Sequence, residues 1–138
     1  MSVQQRICSV PVDAYVDGPP GQSTKKFGYD TELRVRGSAA NTFQRAFIQF
    51  DAAACVPSAA IVKQPAPAAV NSATATDTNT TTTVAFDVTA DVNAFAAAPA
   101  TNFGWRIRDA GEGSAPTGRT IYASRDNAVG MPTLEVTF

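Results

Sequence analysis

The stretch Glu32-Leu33-Arg34-Val35-Arg36 alternates charged and apolar side chains with a period of two. Successive side chains of a strand point to opposite faces, so Leu33 and Val35 belong to a buried face and Arg34 and Arg36 to the outer one. The same reading extends outward along the chain. Arg45-Ala46-Phe47-Ile48-Gln49-Phe50-Asp51 sends Ala46, Ile48 and Phe50 inward and Arg45, Phe47 and Gln49 outward. Gly104-Trp105-Arg106-Ile107-Arg108-Asp109 buries Trp105 and Ile107 and projects Arg106 and Arg108. Further short segments rich in β-branched and aromatic residues predict strands over Gln5 to Val10, Asp13 to Asp17, Ala59 to Lys63, Thr82 to Asp87, Thr120 to Ser124 and Thr133 to Phe138. The breakers between them are those a strand-and-turn chain needs: Gly18-Pro19-Pro20-Gly21, Gly37-Ser38, Gly111-Glu112-Gly113 and Pro116-Thr117-Gly118.

Nine such strands in 138 residues predict an all-β antiparallel sandwich occupying residues 1–138 as a single domain. One segment departs from alternation. In Thr89-Ala90-Asp91-Val92-Asn93-Ala94-Phe95 the apolar Val92 and Phe95 stand three apart, which predicts one short helix with Thr89 as its N-cap. Residues 64–83 are dominated by Ala, Thr, Pro and Asn, and read as a low-complexity loop or a weak edge hairpin. Within them, Asn79-Thr80-Thr81 is an acceptor triplet for N-glycosylation.

Composition closes most catalytic routes. The chain has no histidine, so it has no imidazole base, no Ser-His-Asp or Cys-His arrangement and no His-based metal site. Eleven basic and twelve acidic residues leave a net charge of -1, which gives no bulk attraction to nucleic acid. No apolar run approaches the roughly 18–20 residues that cross a bilayer, so membrane insertion is not expected. Cys8 and Cys55 are too far apart in sequence for metal-ligand spacing and are read as a disulfide or as two buried thiols. A disulfide favours a secreted or cell-surface location. Ser2-Val3-Gln4-Gln5-Arg6 lacks the apolar stretch of a signal peptide, so that reading expects a leader outside this numbering.

The candidate site is therefore a binding surface, not a catalytic one. Arg34, Arg36, Arg45, Arg106 and Arg108 form a set of outward guanidinium forks, each able to pair bidentately with a carboxylate and to stack on a planar surface. The competing reading is that of solvated strand faces whose arginines cross-pair with Glu32, Asp51, Asp109 and Glu135. Tyr15, Tyr29, Phe47 and Tyr122 are candidates for stacking on a sugar ring, whereas Trp105 is read as core. The carboxylate pairs Asp13 with Asp17 and Asp109 with Glu112 leave room for a structural calcium or, alternatively, form turns through their own backbone. No other cofactor is expected, and an enzyme is not.

Several blocks resemble, in order, the DNRLRE domain family. These are Asp13-Ala14-Tyr15-Val16-Asp17, Phe27-Gly28-Tyr29-Asp30-Thr31-Glu32-Leu33-Arg34-Val35-Arg36, Arg45 to Asp51, Phe86-Asp87-Val88-Thr89-Ala90-Asp91-Val92, Gly104 to Asp109, and Tyr122-Ala123-Ser124-Arg125-Asp126 through Phe138. The resemblance implies a β-sandwich of jelly-roll type, exported by its host and often appended to polysaccharide-degrading enzymes, with some relatives binding acidic polysaccharides. Between Lys63 and Val84 the chain departs from the pattern, with Ala- and Thr-rich sequence in place of further strands.

The resulting expectation is a non-catalytic extracellular module that binds an acidic polysaccharide or other cell-surface glycan. Its binding residues would be Arg34, Arg36, Arg45, Arg106, Arg108 and Tyr122. The alternative is a structural or adhesive building block of a surface assembly or filament, self-associating by strand addition through exposed edges and the segment Ser2 to Val10.

Overall fold

A computed structural model describes residues 5–18, 27–37, 43–56, 83–113 and 118–137. Among these residues seven strands are present: β1 (Gln5–Ser9), β2 (Val12–Asp17), β3 (Glu32–Arg36), β4 (Gln44–Gln49), β5 (Trp105–Ile107), β6 (Arg119–Ala123) and β7 (Thr133–Thr137). They form the two antiparallel sheets of an all-β sandwich. β1 pairs with β7, and the larger sheet runs β2-β4-β3-β6 with β5 also on β4. A jelly roll proper distributes about eight strands over two comparable sheets. The described strands divide two and five, so they do not by themselves give that topology.

Each of these strands coincides with an alternating segment of the sequence to within about two residues. The expected strand over Ala59 to Lys63, the low-complexity stretch up to Thr82 and the Asn79 triplet lie outside the described residues. The expected strand over Thr82 to Asp87 is not one: residues 83–88 have no regular structure. Asp87 is the physical reason. Its Oδ1 accepts from both the amide and the hydroxyl of Thr89, at 3.1 and 2.7 Å, which turns the chain into a helix instead of extending it.

The described residues gather into two compact units. One is made of those that fall within Met1–Arg6, Asp51–Asn102 and Val136–Phe138, and holds the helices. α1 (Ala52–Cys55) is capped by Asp51, whose side chain accepts from the Ala54 amide at 3.0 Å. Arg6 closes its other end by donating to the carbonyls of Ala54 and Cys55 at 3.3 and 3.2 Å. α2 (Thr89–Ala97) packs on α1 and buries Asp91, Val92 and Ala96. Thr89 is its first residue, not its N-cap: Val88 occupies that position, and the Thr89 amide and hydroxyl donate back to Asp87. A 3-10 turn, Pro99–Thr101, follows.

The other unit, Ile7–Phe50 with Phe103–Glu135, holds the larger sheet. Its core is Tyr15, Leu33, Val35 and Ala46, with Phe27, Ile48, Ile107 and Tyr122 packed against them. β4 is the axis of this sheet. One edge pairs with β2 along its whole length, from Val12 opposite Gln49 to Asp17 opposite Gln44. The other edge is shared: Gln44 meets Arg36 of β3, while Ala46, Phe47 and Ile48 meet Ile107, Arg106 and Trp105 of β5. Gly104 makes the entry to β5 feasible. Its φ of +75° is left-handed, and a Cβ there would run into the Ile48 carbonyl.

Cys8 and Cys55 are joined as a disulfide. Among the described residues no helix is long and apolar enough to cross a membrane.

Candidate functional site

Register decides which side chains share a surface. Residues directly opposite one another on paired strands project to the same face. One face of the larger sheet therefore carries Val12, Ala14 and Val16 of β2, Arg45, Phe47 and Gln49 of β4, and Arg106 of β5. The opposite face carries Tyr15, Ala46 and Ile107, which lie in the core. Arg34 sits over the Tyr15 ring, 5.1 Å from its centroid, and so belongs to the Tyr15 side. The arginines read from the sequence as one outward face are thus split: Arg45 and Arg106 lie on one side of the sheet and Arg34 on the other.

Arg45 is already committed. Its Nε lies 3.0 Å from both carboxylate oxygens of Glu112, its NH2 is closer still to Oε1, and its guanidinium stacks on Phe43 at 4.2 Å. This Arg45 fork holds the Glu112 carboxyl below its ordinary value, against the opposing effect of burial, and the positive charges of Arg108 and Arg106 add to the lowering. Arg106 and Arg108 are exposed and form no ion pair among the described residues, but both lie within electrostatic reach of Glu112. The result is a cluster of three arginines around one carboxylate, which leaves an excess of positive charge. Beside it a shallow groove of about 120 Å³ is lined by Val12, Asp13, Ala14, Phe47, Ile48, Gln49 and Phe103, with the Asp13 carboxylate itself turned to Arg125. Phe103 is 88% exposed and Phe47 38%.

The remaining sequence candidates are placed elsewhere. Arg34 pairs with Glu32 at 3.1 Å. Arg36 stands at the end of β3, directly opposite Arg119 of β6. Tyr122 is opposite Leu33 and packs against the core, so the outward orientation read for it does not hold: β6 places it on the same face as the buried residues of β3. Tyr15 is likewise buried, stacked on Phe27 at 4.3 Å and donating its hydroxyl to Asp30 at 3.0 Å. Burial and this hydrogen bond push its pKa up to about 12. Tyr29 is 83% exposed. Trp105 is half-buried and meets Phe50 edge-on.

The carboxylates offered for calcium have protein partners. Asp13 accepts from the Arg125 amide at 2.7 Å, Asp17 from the Gln44 side chain, Asp109 from the Gly111 amide at 2.6 Å, and Glu112 from Arg45. Among the described residues no three acidic or sulfur ligands converge.

Arg125 was not singled out by its sequence position, yet it ties distant segments together. Its amide and Nε both address the buried Asp13, the latter at 3.8 Å, and its NH1 donates to the Pro11 carbonyl. Its neighbour Ser124 is buried and donates to the Asp30 carbonyl, while the Ser124 amide donates to Thr31 at 3.1 Å. Only the run Ser124-Arg125-Asp126 hinted at this in the sequence, through its place in the resemblance.

The chain matches no protein family, no characterised protein and no solved structure. The resemblance to DNRLRE domains rests on the quoted blocks alone.

Proposed function

We propose that the protein is a non-catalytic module that binds an acidic polysaccharide on the β2-β4-β5 face, in an oxidising, extracellular setting. The observation that carries this reading is that the exposed Arg106 stands directly opposite the exposed Phe47, which shares its groove with the exposed Phe103, while the exposed Arg108 follows two residues on and neither arginine has an ion pair among the described residues. A guanidinium fork grips a uronate carboxylate, and an aromatic face next to it takes the apolar side of a sugar ring. Arg45, held by Glu112 and Phe43, is a positioning element of this surface. The disulfide and the DNRLRE resemblance support the extracellular setting.

Affinity electrophoresis through gels containing alginate, pectin or heparin tests the reading. Retardation that weakens with added salt, and falls about tenfold for Arg106→Ala with Arg108→Ala, is the expected result. Unchanged mobility in every polymer overturns it.

The second reading, a self-associating building block, draws on β2. This strand is an edge of the larger sheet, and its Val12 and Val16 are 52% and 40% exposed. The segment first considered for strand donation is less suited, because Gln5–Ser9 is already paired with β7. Size-exclusion chromatography at two concentrations separates the readings: assembly that grows with concentration favours the building block.

A further inference from the structure

In the β3–β6 ladder Arg36 stands directly opposite Arg119. Like charges directly opposite on neighbouring strands repel and are ordinarily avoided or neutralised by a nearby acid. Here neither arginine has an ion-pair partner among the described residues. Of the twelve acidic residues in the chain, all but Asp77 lie among the described ones, so the supply of neutralising carboxylates is almost fully accounted for.

The acids on the same strand and in the same row are engaged. Glu32, on the same face of β3, is paired with Arg34. Along the row Asp17–Gln44–Arg36–Arg119 that crosses the sheet, Asp17 is two strands from Arg36, about 10 Å at the usual strand spacing, and it holds the Gln44 amide. Arg119 is exposed and Arg36 half-buried, so the pair is open to solvent on at least one side.

We propose that Arg36 and Arg119 form a two-fork receptor for a tetrahedral dianion, a sulfate or phosphate group. A single carboxylate is satisfied by one guanidinium. Two guanidinium groups on adjacent strands present more donors than one carboxylate can accept, and they match an ion with three or four oxygens and two negative charges. Binding would also remove the repulsion that the unliganded ladder carries. This site uses none of the residues of the β2-β4-β5 face, so it stands or falls independently of the function proposed above.

The test is thermal unfolding of the whole chain titrated with sodium sulfate, and separately with inorganic phosphate, against sodium chloride at matched ionic strength. The expected result is a saturable rise in Tm for the wild-type protein that is weakened at least tenfold in Arg119→Gln and in Arg36→Gln. Without sulfate, Arg119→Gln should melt at or above the wild-type temperature, because a like-charge contact is gone. Dextran sulfate at equal sulfate concentration, titrated into the Arg106→Ala with Arg108→Ala protein so that the β2-β4-β5 face does not contribute, separates the sources: tighter binding than free sulfate supports the site as one for sulfate esters of a polymer, and equal or weaker binding supports it as one for the free ion. A sulfate response that never saturates, or that is the same in both glutamine variants, is surface exclusion of a kosmotropic salt and overturns the proposal.

Discussion

Glu112 and Asp13 are both largely buried carboxylates held by arginines, yet their pKa values are shifted in opposite directions. Around Glu112 the Arg45 fork outweighs burial and lowers the pKa. Its contribution to stability is therefore present above the ordinary value of 4.5 and is lost as pH falls through the lowered one. Around Asp13 burial outweighs the Arg125 amide and charge, and the pKa is raised. Its contribution is present at low pH and lost as pH rises through the raised value. Urea midpoints measured from pH 3 to 8 should separate the two. Glu112→Gln is expected to cost about 1–2 kcal/mol at pH 7 and to flatten the acid limb. Asp13→Asn keeps an acceptor for the Arg125 amide and should lose none of the stability at pH 7 while removing the decline between acid and neutral pH. A Glu112→Gln variant with the wild-type acid limb would show that Arg45 does not depend on its carboxylate.

At the scale of elements, β5 is the vulnerable piece. It is three residues long, pairs with β4 among the described strands, and is entered through a glycine whose conformation other residues adopt at a cost of about 1–3 kcal/mol. Gly104→Ala adds a clash with the Ile48 carbonyl to that strain, so a loss of about 2 kcal/mol or more in urea unfolding is expected. It should also release Arg106 and Arg108, and glycan retardation should fall with it. Retardation that survives the substitution would place the binding surface elsewhere.

The strands themselves were legible because alternation of Leu33 with Arg34, or of Ala46 with Phe47, reports burial directly. α1 was not, since Ala52-Ala53-Ala54 has neither alternation nor a helical apolar stripe, and only the Asp51 cap betrays it. Nor did phase within a strand reveal which arginines share a face. That depends on how β3 and β5 divide one edge of β4, which no local pattern encodes. Tyr15 and Tyr122 were misread for a related reason: aromatic rings with a polar tip suit a surface as well as a core, and here a hydrogen bond from Tyr15 to Asp30 makes burial acceptable.

For the molecule as a whole, the disulfide is the largest single constraint on the unfolded chain. The loop between Cys8 and Cys55 spans about 47 residues, for which chain entropy gives roughly 4 kcal/mol. Reduction, or replacement of both cysteines by serine, should lower the urea midpoint by a corresponding amount, and an unchanged midpoint would assign the stability to the core alone.

The hydrogen bonds of Ser124 and Arg125 set an order of events during synthesis. Their partners Asp30 and Asp13 lie 94 and 112 residues upstream, and among the described strands it is β6 that covers the outer edge of β3. At ordinary translation speeds of about 5–20 residues per second, the first four strands wait roughly 4–15 s on the ribosome before Ser124 and Arg125 are made. Both cysteines are out well before then. The nascent chain can be cross-linked while its larger sheet is still open, and the edge of β3 is then the surface a chaperone would have to shield.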